Sequence, residues 1–194
     1  MDKEKEYIFG VATITIGDEE SNDLIKFDGK DYLQAEGGEL TLTPQFTEFT
    51  FEDFGETVIE RRLSGWEGTL TIVAGQETAE ILELALNSTE DITDTADGDV
   101  VGSMDAKIGS KAVGRKVNIH PRFLPLSDKS QDFNIYNMAS IEGMSRTYAS
   151  EQGSISITLT MMPRQGFDAS KAGNFFYRGA VDPHEVEAPE EPVE

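Results

Sequence analysis

The stretch Val58–Leu86, VIERRLSGWEGTLTIVAGQETAEILELAL, constrains the fold more than any other part of the chain. Through Trp66, Gly68, Leu70, Ile72 and Ala74, mostly apolar residues recur at every second position, with Glu67, Thr69 and Thr71 between them. A period of two predicts a strand with one buried and one polar face. Gly75 breaks the pattern. From Glu77 onward, Ile81, Leu84 and Ala85 fall on one helical face, flanked by Leu82 and Leu86. Glu77 and Glu80 occupy the first turns, where the helix dipole favours a carboxylate, and Asn87-Ser88 closes the segment. Val58–Leu63 is expected to pair with Trp66–Ala74 through a corner at Ser64-Gly65. No other segment is this clearly helical, so the chain is expected to be mainly β with one principal helix flanking the sheet.

The remaining segments supply strands. Tyr7–Ile16 is rich in aromatic and β-branched residues, apolar on both alternating faces, and ends at Gly17. A short strand at Leu24–Phe27 precedes an Asp28-Gly29 turn, and strands at Tyr32–Ala35 and Glu39–Thr43 flank a bulge or bend at Gly37-Gly38. Met104–Ile108, Lys116–Leu124, Phe133–Ile141 and Ser154–Met162 follow, the last ended by Pro163. On Phe133–Ile141, residues Phe133, Ile135, Asn137, Ala139 and Ile141 share one face. On Ser154–Met162, Ile155, Ile157, Leu159 and Met161 point one way and Ser154, Ser156, Thr158 and Thr160 the other. Gly166–Tyr177 reads as a loop with a final strand at Phe175–Tyr177. Residues 1–181 are expected to form one domain, and 182–194, with three prolines and six acids, a disordered acidic tail.

Charge narrows the function. The balance is 16 Lys+Arg against 37 Asp+Glu, a net of −21, which repels polyanions and argues against phosphate-based nucleic-acid affinity. It is uneven: residues 1–106 carry −20, 107–181 carry +5 and 182–194 carry −6. Such asymmetry fits acidic and basic surfaces that meet in self-assembly, or sequence halves that simply mix in space. With no cysteine there is no disulfide framework, thiolate zinc site or cysteine nucleophile, which fits a reducing cytoplasm. The charged N-terminus has no signal-peptide apolar region, and nowhere do 18 apolar residues run together, so neither export nor a membrane span is expected.

Catalytic chemistry is not expected. His184 falls in the tail, and His120 is a lone strand histidine, which is ordinarily structural. Phosphate loops, G-x-S-x-G elbows, H-E-x-x-H and Cys/His metal patterns are missing. Acidic Ser88–Ser103, a loop or a weak hairpin, fails as a calcium loop: with Gly98 as the invariant glycine, Thr93 and Thr95 take the first ligand positions and Met104 stands where Glu is required. The chain is therefore expected to be no enzyme and to need no cofactor or metal.

Two features point elsewhere. In Pro44–Glu56, Phe46, Phe49, Phe51 and Phe54 are interleaved with acids; they are either core rings or a loop or hairpin that carries apolar rings into a neighbouring subunit. The polar strand faces present Thr41 and Thr43, Thr69 and Thr71, Ser154 and Ser156, Thr158 and Thr160, with Glu39 and Glu67 nearby. Such faces suit solvent, or the wall of a channel that must not grip what passes through it.

In layout the chain resembles the major tail tube protein of long-tailed, siphovirus-like bacteriophages. The resemblance covers residues 7–180: an N-terminal strand, GGELTLTP, a Phe-rich loop, RRLSGWEGTLTIVAG leading into QETAEILELALN, and a closing ISITLTMMPR strand. It implies a β-sandwich or half-barrel with one flanking helix, assembling into hexameric rings that stack into a tube with a continuous inner β-barrel. It implies as partners other copies of the chain and the tape-measure, tail-tip and terminator proteins, DNA only in transit, no membrane, and a place in the virion tail after assembly in the host cytoplasm. Phe46, Phe49, Phe51 and Phe54 would lie at a subunit interface, and Glu39, Thr41, Glu67, Thr69 and Thr71 would line the lumen. The alternatives are another ring former, such as a secretion-system tube protein or tail terminator, and a monomeric β-sandwich binding module. Ring number and stacking separate the first, glycan binding by a stable monomer the second.

Overall fold

The computed structural model describes residues 10–18, 24–94, 98–146 and 153–184. Its strands are β1 (Ala12–Ile16), β2 (Ile25–Phe27), β3 (Gln34–Thr50), β4 (Val58–Ala74), β5 (Thr89–Thr93), β6 (Val100–Asp105), β7 (Arg115–Pro121), β8 (Phe133–Arg146), β9 (Ile155–Met161) and β10 (Phe176–Arg178). One α-helix, α1 (Ala79–Leu86), follows β4. The chain is thus mainly β, with an eight-stranded antiparallel sheet in the order β2-β1-β7-β8-β9-β4-β3, β10 beside β8, and β5–β6 a separate two-stranded sheet.

The alternation in β4 builds the core as the sequence predicts. Gly68, Leu70, Ile72 and Ala74 are buried while Thr69, Thr71 and Val73 are not fully covered. Antiparallel pairing aligns Leu40, Leu70 and Leu159 across three strands, and Ile72 with Ile157. These side chains meet Ile14, Ile16 and Phe27 of the first hairpin, Ile135 of β8 and Ile81 of α1 in one cluster. Each fully buried Leu or Ile contributes about 1.5–3 kcal/mol of transfer free energy. The sheet curls around this cluster. Gln34 at the start of β3 donates from Nε2 to the carbonyls of Ala12 (2.9 Å) and Phe27 (3.0 Å), so side-chain bonds bridge the two ends of the sheet. Gly38 lies so close to Ile14 that a Cβ there would stand 2.7 Å from its Cδ1. The expected irregularity at Gly37-Gly38 is present as a bulge between Glu36 and Glu39.

The helix forms where expected, though it starts at Ala79. Thr78 is its N-cap, Oγ1 accepting from the Ile81 amide at 3.4 Å, and Asn87 ends it in the left-handed conformation at φ 48°. Ser140 on β8 donates its hydroxyl to the Ala85 carbonyl (2.6 Å), satisfying one of the last-turn acceptors, and so fixes the helix on the sheet.

Several expectations are corrected. Ser64-Gly65 is no corner: β4 runs unbroken through it, and Val58–Leu63 pairs with Phe46–Thr50 of β3, not with Trp66–Ala74. Opposite Gln45–Phe46 the ladder steps from Gly65 to Leu63, so Ser64 is an extra residue, a bulge that bends the strand without ending it. Of the alternatives open for Pro44–Glu56, the hairpin is present: strand to Thr50, then a single 3-10 turn over Glu52–Phe54. On β8, Val117 faces Ile135 but Arg115 faces Met138, an extra residue that flips the alternation. Ile135 and Met138 therefore both reach the core, and the single face expected for Phe133, Ile135, Asn137, Ala139 and Ile141 does not exist. The strand expected at Met104–Ile108 lies at Val100–Asp105 and pairs as a hairpin with Thr89–Thr93. Packed chain continues to His184: Asp182 is buried and accepts the Tyr136 hydroxyl at 2.8 Å, while His184 Nε2 lies 2.8 Å from the Gly173 carbonyl. Tyr7–Phe9 of the first expected strand, and 185–194 of the expected tail, lie outside the described residues.

Candidate assembly surfaces

β4 is flanked by both β3 and β9 only from Thr69 to Ala74. Beyond Trp66 the β3–β4 pair continues as a two-stranded arm, and here the four sequence-selected phenylalanines gather. Phe46, Phe49, Phe51 and Phe54 are 52%, 37%, 56% and 66% exposed, and none belongs to the core cluster. The register puts Phe46 and Phe49 on different sides. Phe46 pairs with Leu63 and Glu48 with Arg61 on one face; Thr47 pairs with Arg62 and Phe49 with Glu60 on the other. The Arg62 guanidinium stands 5.3 Å from the Phe49 ring centroid and pairs with Glu60 at 2.5 Å, while Arg61 pairs with Glu48 at 2.8 Å. At this exposure such pairs add at most ~1 kcal/mol each, so they orient the arm more than they stabilise it. Exposed Ile59 and Leu63 extend the apolar surface. The sequence reading did not select them; Leu63 becomes its own signal once β4 is continuous, because it faces Phe46.

The second candidate surface is the sheet face turned away from the core. Cross-strand pairing sets Thr41, Thr69 and Thr160 in one row, Glu39, Thr71 and Thr158 in the next, and Thr43 beside Glu67. Directly opposed residues in an antiparallel ladder share a face. The five residues selected from sequence, Glu39, Thr41, Glu67, Thr69 and Thr71, are therefore brought together on one face with two carboxylates and no lysine or arginine. Besides the terminal strand β2, the sheet carrying this face has open edges at β3 and β8 among the described residues. β3 pairs only with β4, and β8 beyond Ser140 pairs only with β9. Unpaired strand edges present rows of N–H and C=O groups to any neighbour.

The buried polar groups lie elsewhere. His120 is buried with Nδ1 2.6 Å from Asp132 Oδ1 and Nε2 3.4 Å from the Leu124 carbonyl, so protein groups occupy both ring nitrogens. Burial, then the neighbouring Asp182 carboxylate, push the Tyr136 phenol above its ordinary range. Among the described residues no three His, Cys, Asp or Glu side chains are grouped to hold a metal ion. A shallow open groove lined by Lys26, Asp31, Tyr32 and Glu77 lies between β2 and the helix N-terminus.

The sequence matches no model of a known protein family, and no characterised protein matches it.

Proposed function

We propose that this chain is a structural subunit that self-assembles into rings, and that the rings stack into a tail-type tube through which DNA passes without being held. The carrying observation is the arm. An isolated two-stranded hairpin is marginal in water, yet this one leaves apolar side chains open on both of its faces. A neighbouring copy that covers them removes that cost. In this reading the Phe arm enters the neighbouring subunit, and the open edges of β3 and β8 meet across a ring so that an inner barrel closes. The Glu39, Thr41, Glu67, Thr69 and Thr71 face lines the lumen, where hydroxyls wet the wall and carboxylates repel phosphate. Six-fold rings and virion partners come from the resemblance alone.

The test is the double variant Phe49→Glu, Phe51→Glu, followed by sedimentation and negative-stain microscopy. The expected outcome is a folded monomer with an unchanged far-ultraviolet spectrum and no rings or tubes, under conditions where the parent chain forms them. Unfolding of the variant would mean that the rings serve the chain's own core. Normal assembly would remove the arm from the interface.

A further inference from the structure

Two other exposed apolar surfaces carry opposite charge. The first is the β5–β6 hairpin. From Ser88 to Asp105 the chain has six acids and no base. Ile92, Val100, Val101 and Met104 are exposed on it. The ladder runs from Thr89 opposite Asp105 to Thr93 opposite Val100, with Val101 the extra residue of a bulge. At its base the Ala106 amide donates to the Ser88 carbonyl at 2.9 Å. The described parts of the two strands pack on each other and on little else.

The second is the loop between β7 and β8, Arg122–Gln131. Leu126 is 80% exposed at its tip and Phe123 is exposed beside it. Within this loop Arg122 and Lys129 stand against the single acid Asp128. The loop is built rigidly. The amides of Leu124, Asp128 and Asp132 donate to the carbonyls of Pro121, Pro125 and Lys129, giving three successive tight turns. Beneath them, His120 and Asp132 form a buried pair at 2.6 Å. Asn118 Nδ2 donates to Asp132 Oδ2 (3.2 Å) and Asn134 Oδ1 (2.8 Å), and Asn134 Nδ2 to the Gly179 carbonyl (3.2 Å). Arg122 is held by the Thr13 hydroxyl and the Phe27 carbonyl. A satisfied buried polar network specifies one geometry. Here it holds an apolar tip in water when collapse would have hidden it, and a surface ordered in advance loses little entropy on binding.

We infer that the β5–β6 hairpin of one copy docks on the Arg122–Gln131 loop of a second copy. Its carboxylates lie near Arg122 and Lys129, and Val101 and its apolar neighbours meet Phe123 and Leu126. The two surfaces are complementary in charge and alike in apolar character, so this chain supplies the match to its own hairpin. Because donor and acceptor patches differ, the contact is heterologous and propagates from copy to copy. It rests on the reading of the chain as a self-assembling subunit and adds a contact independent of the Phe arm.

The chain contains no cysteine, so site-specific disulfide trapping is clean. A Val101→Cys chain mixed with a Leu126→Cys chain should give a disulfide-linked heterodimer on mild oxidation. A Val101→Cys chain mixed with a Phe167→Cys chain, also at an exposed position, should not. Glu90→Lys with Asp91→Lys should weaken association at least ~10-fold, as should Lys129→Glu, and a one-to-one mixture of the two should recover it, because each then offers what the other lacks. Equal trapping by the control pair, unchanged association of the charge variants, or failure of the mixture to recover would overturn the docking. If the parent chain assembles and the Phe49/Phe51 variant does not while the charge variants behave as the parent, only the docking falls. A parent chain monomeric under every condition would remove both readings.

Discussion

The two ends of one hairpin behave as different materials. Near Ala74, β4 lies between β3 and β9, and Leu70, Ile72 and Ala74 are almost fully buried. Near Val58 the same strand, in the same ladder with β3, leaves Ile59 and Leu63 half open to water. The β3–β4 ladder runs through both, so pairing between these two strands does not distinguish them. What differs is a third strand and a core against which one face can close. Pairing two strands makes a ribbon; burying a face makes it part of the body. The Ser64 bulge marks the change. There the alternation slips by one residue, just where nothing remains to pack against.

The sharpest way to break the comparison is a cavity in the body. Ile72→Ala should cost about 2–5 kcal/mol, because its side chain is fully buried and its neighbours fill the space only partly. Chemical denaturation of the monomeric Phe49→Glu, Phe51→Glu variant measures this without interference from assembly. A loss below 1 kcal/mol would mean that the body is packed no better than the arm.

Two glycines three positions apart on β4 refine the boundary. A Cβ at Gly68 would stand 2.9 Å from Leu42 Cδ2 and from Met161 Cε, and 3.0 Å from Met161 Cβ, whereas at Gly65 nothing lies within 4 Å. Gly68→Ala should therefore destabilise by about 1 kcal/mol after the gain from a stiffer unfolded chain, since side-chain ends can yield but the Met161 Cβ cannot. Gly65→Ala should be neutral or stabilising by a few tenths of a kcal/mol. Equal effects at the two sites would place the boundary elsewhere.

The smallest effect is with acid. Asp28 is held below its ordinary carboxylate range chiefly by the amides of Lys30 and Asp31, and Glu80 chiefly by the Thr78 hydroxyl. A folded-state value below the unfolded one adds stability above the ordinary carboxylate range. That contribution is lost as pH falls through the lowered values. Both groups are solvent-facing, so the slope should be shallow between pH 5 and the acid range. Thr78→Ala should move Glu80 back toward its ordinary value by NMR titration, with Asp28 unmoved.

Much of the body was legible because short-range chemistry wrote it. The Leu70–Ala74 alternation, the Asn87 stop and the Ile155–Met161 stripe each follow from neighbours within a few residues. Apart from the one at Gly37-Gly38, the bulges were not legible. Ser64-Gly65 has the composition of a turn, and only the partner strand decides that Val58–Leu63 pairs with Phe46–Thr50. The same holds on β8, where an extra residue opposite β7 reverses the faces and brings Met138 into the core cluster with Ile135. His120 illustrates both sides of this limit. Its lone place in a strand suggested a structural role, but Asp132, twelve residues away, could be identified as its partner only once the loop between them had folded back.

The sequence by itself determined that the chain would be mainly β with one flanking helix, would carry a strongly acidic charge, and would hold four phenylalanines between acids. These are properties of composition and of periods of two and 3.6, which need no long-range information. Only the tertiary structure decided that those rings stand outside the core, and that Glu39, Thr41, Glu67, Thr69 and Thr71 share one face. Exposure depends on which strands find a third neighbour, and a shared face depends on register. Both are set by pairings across the sheet, between residues far apart in the chain.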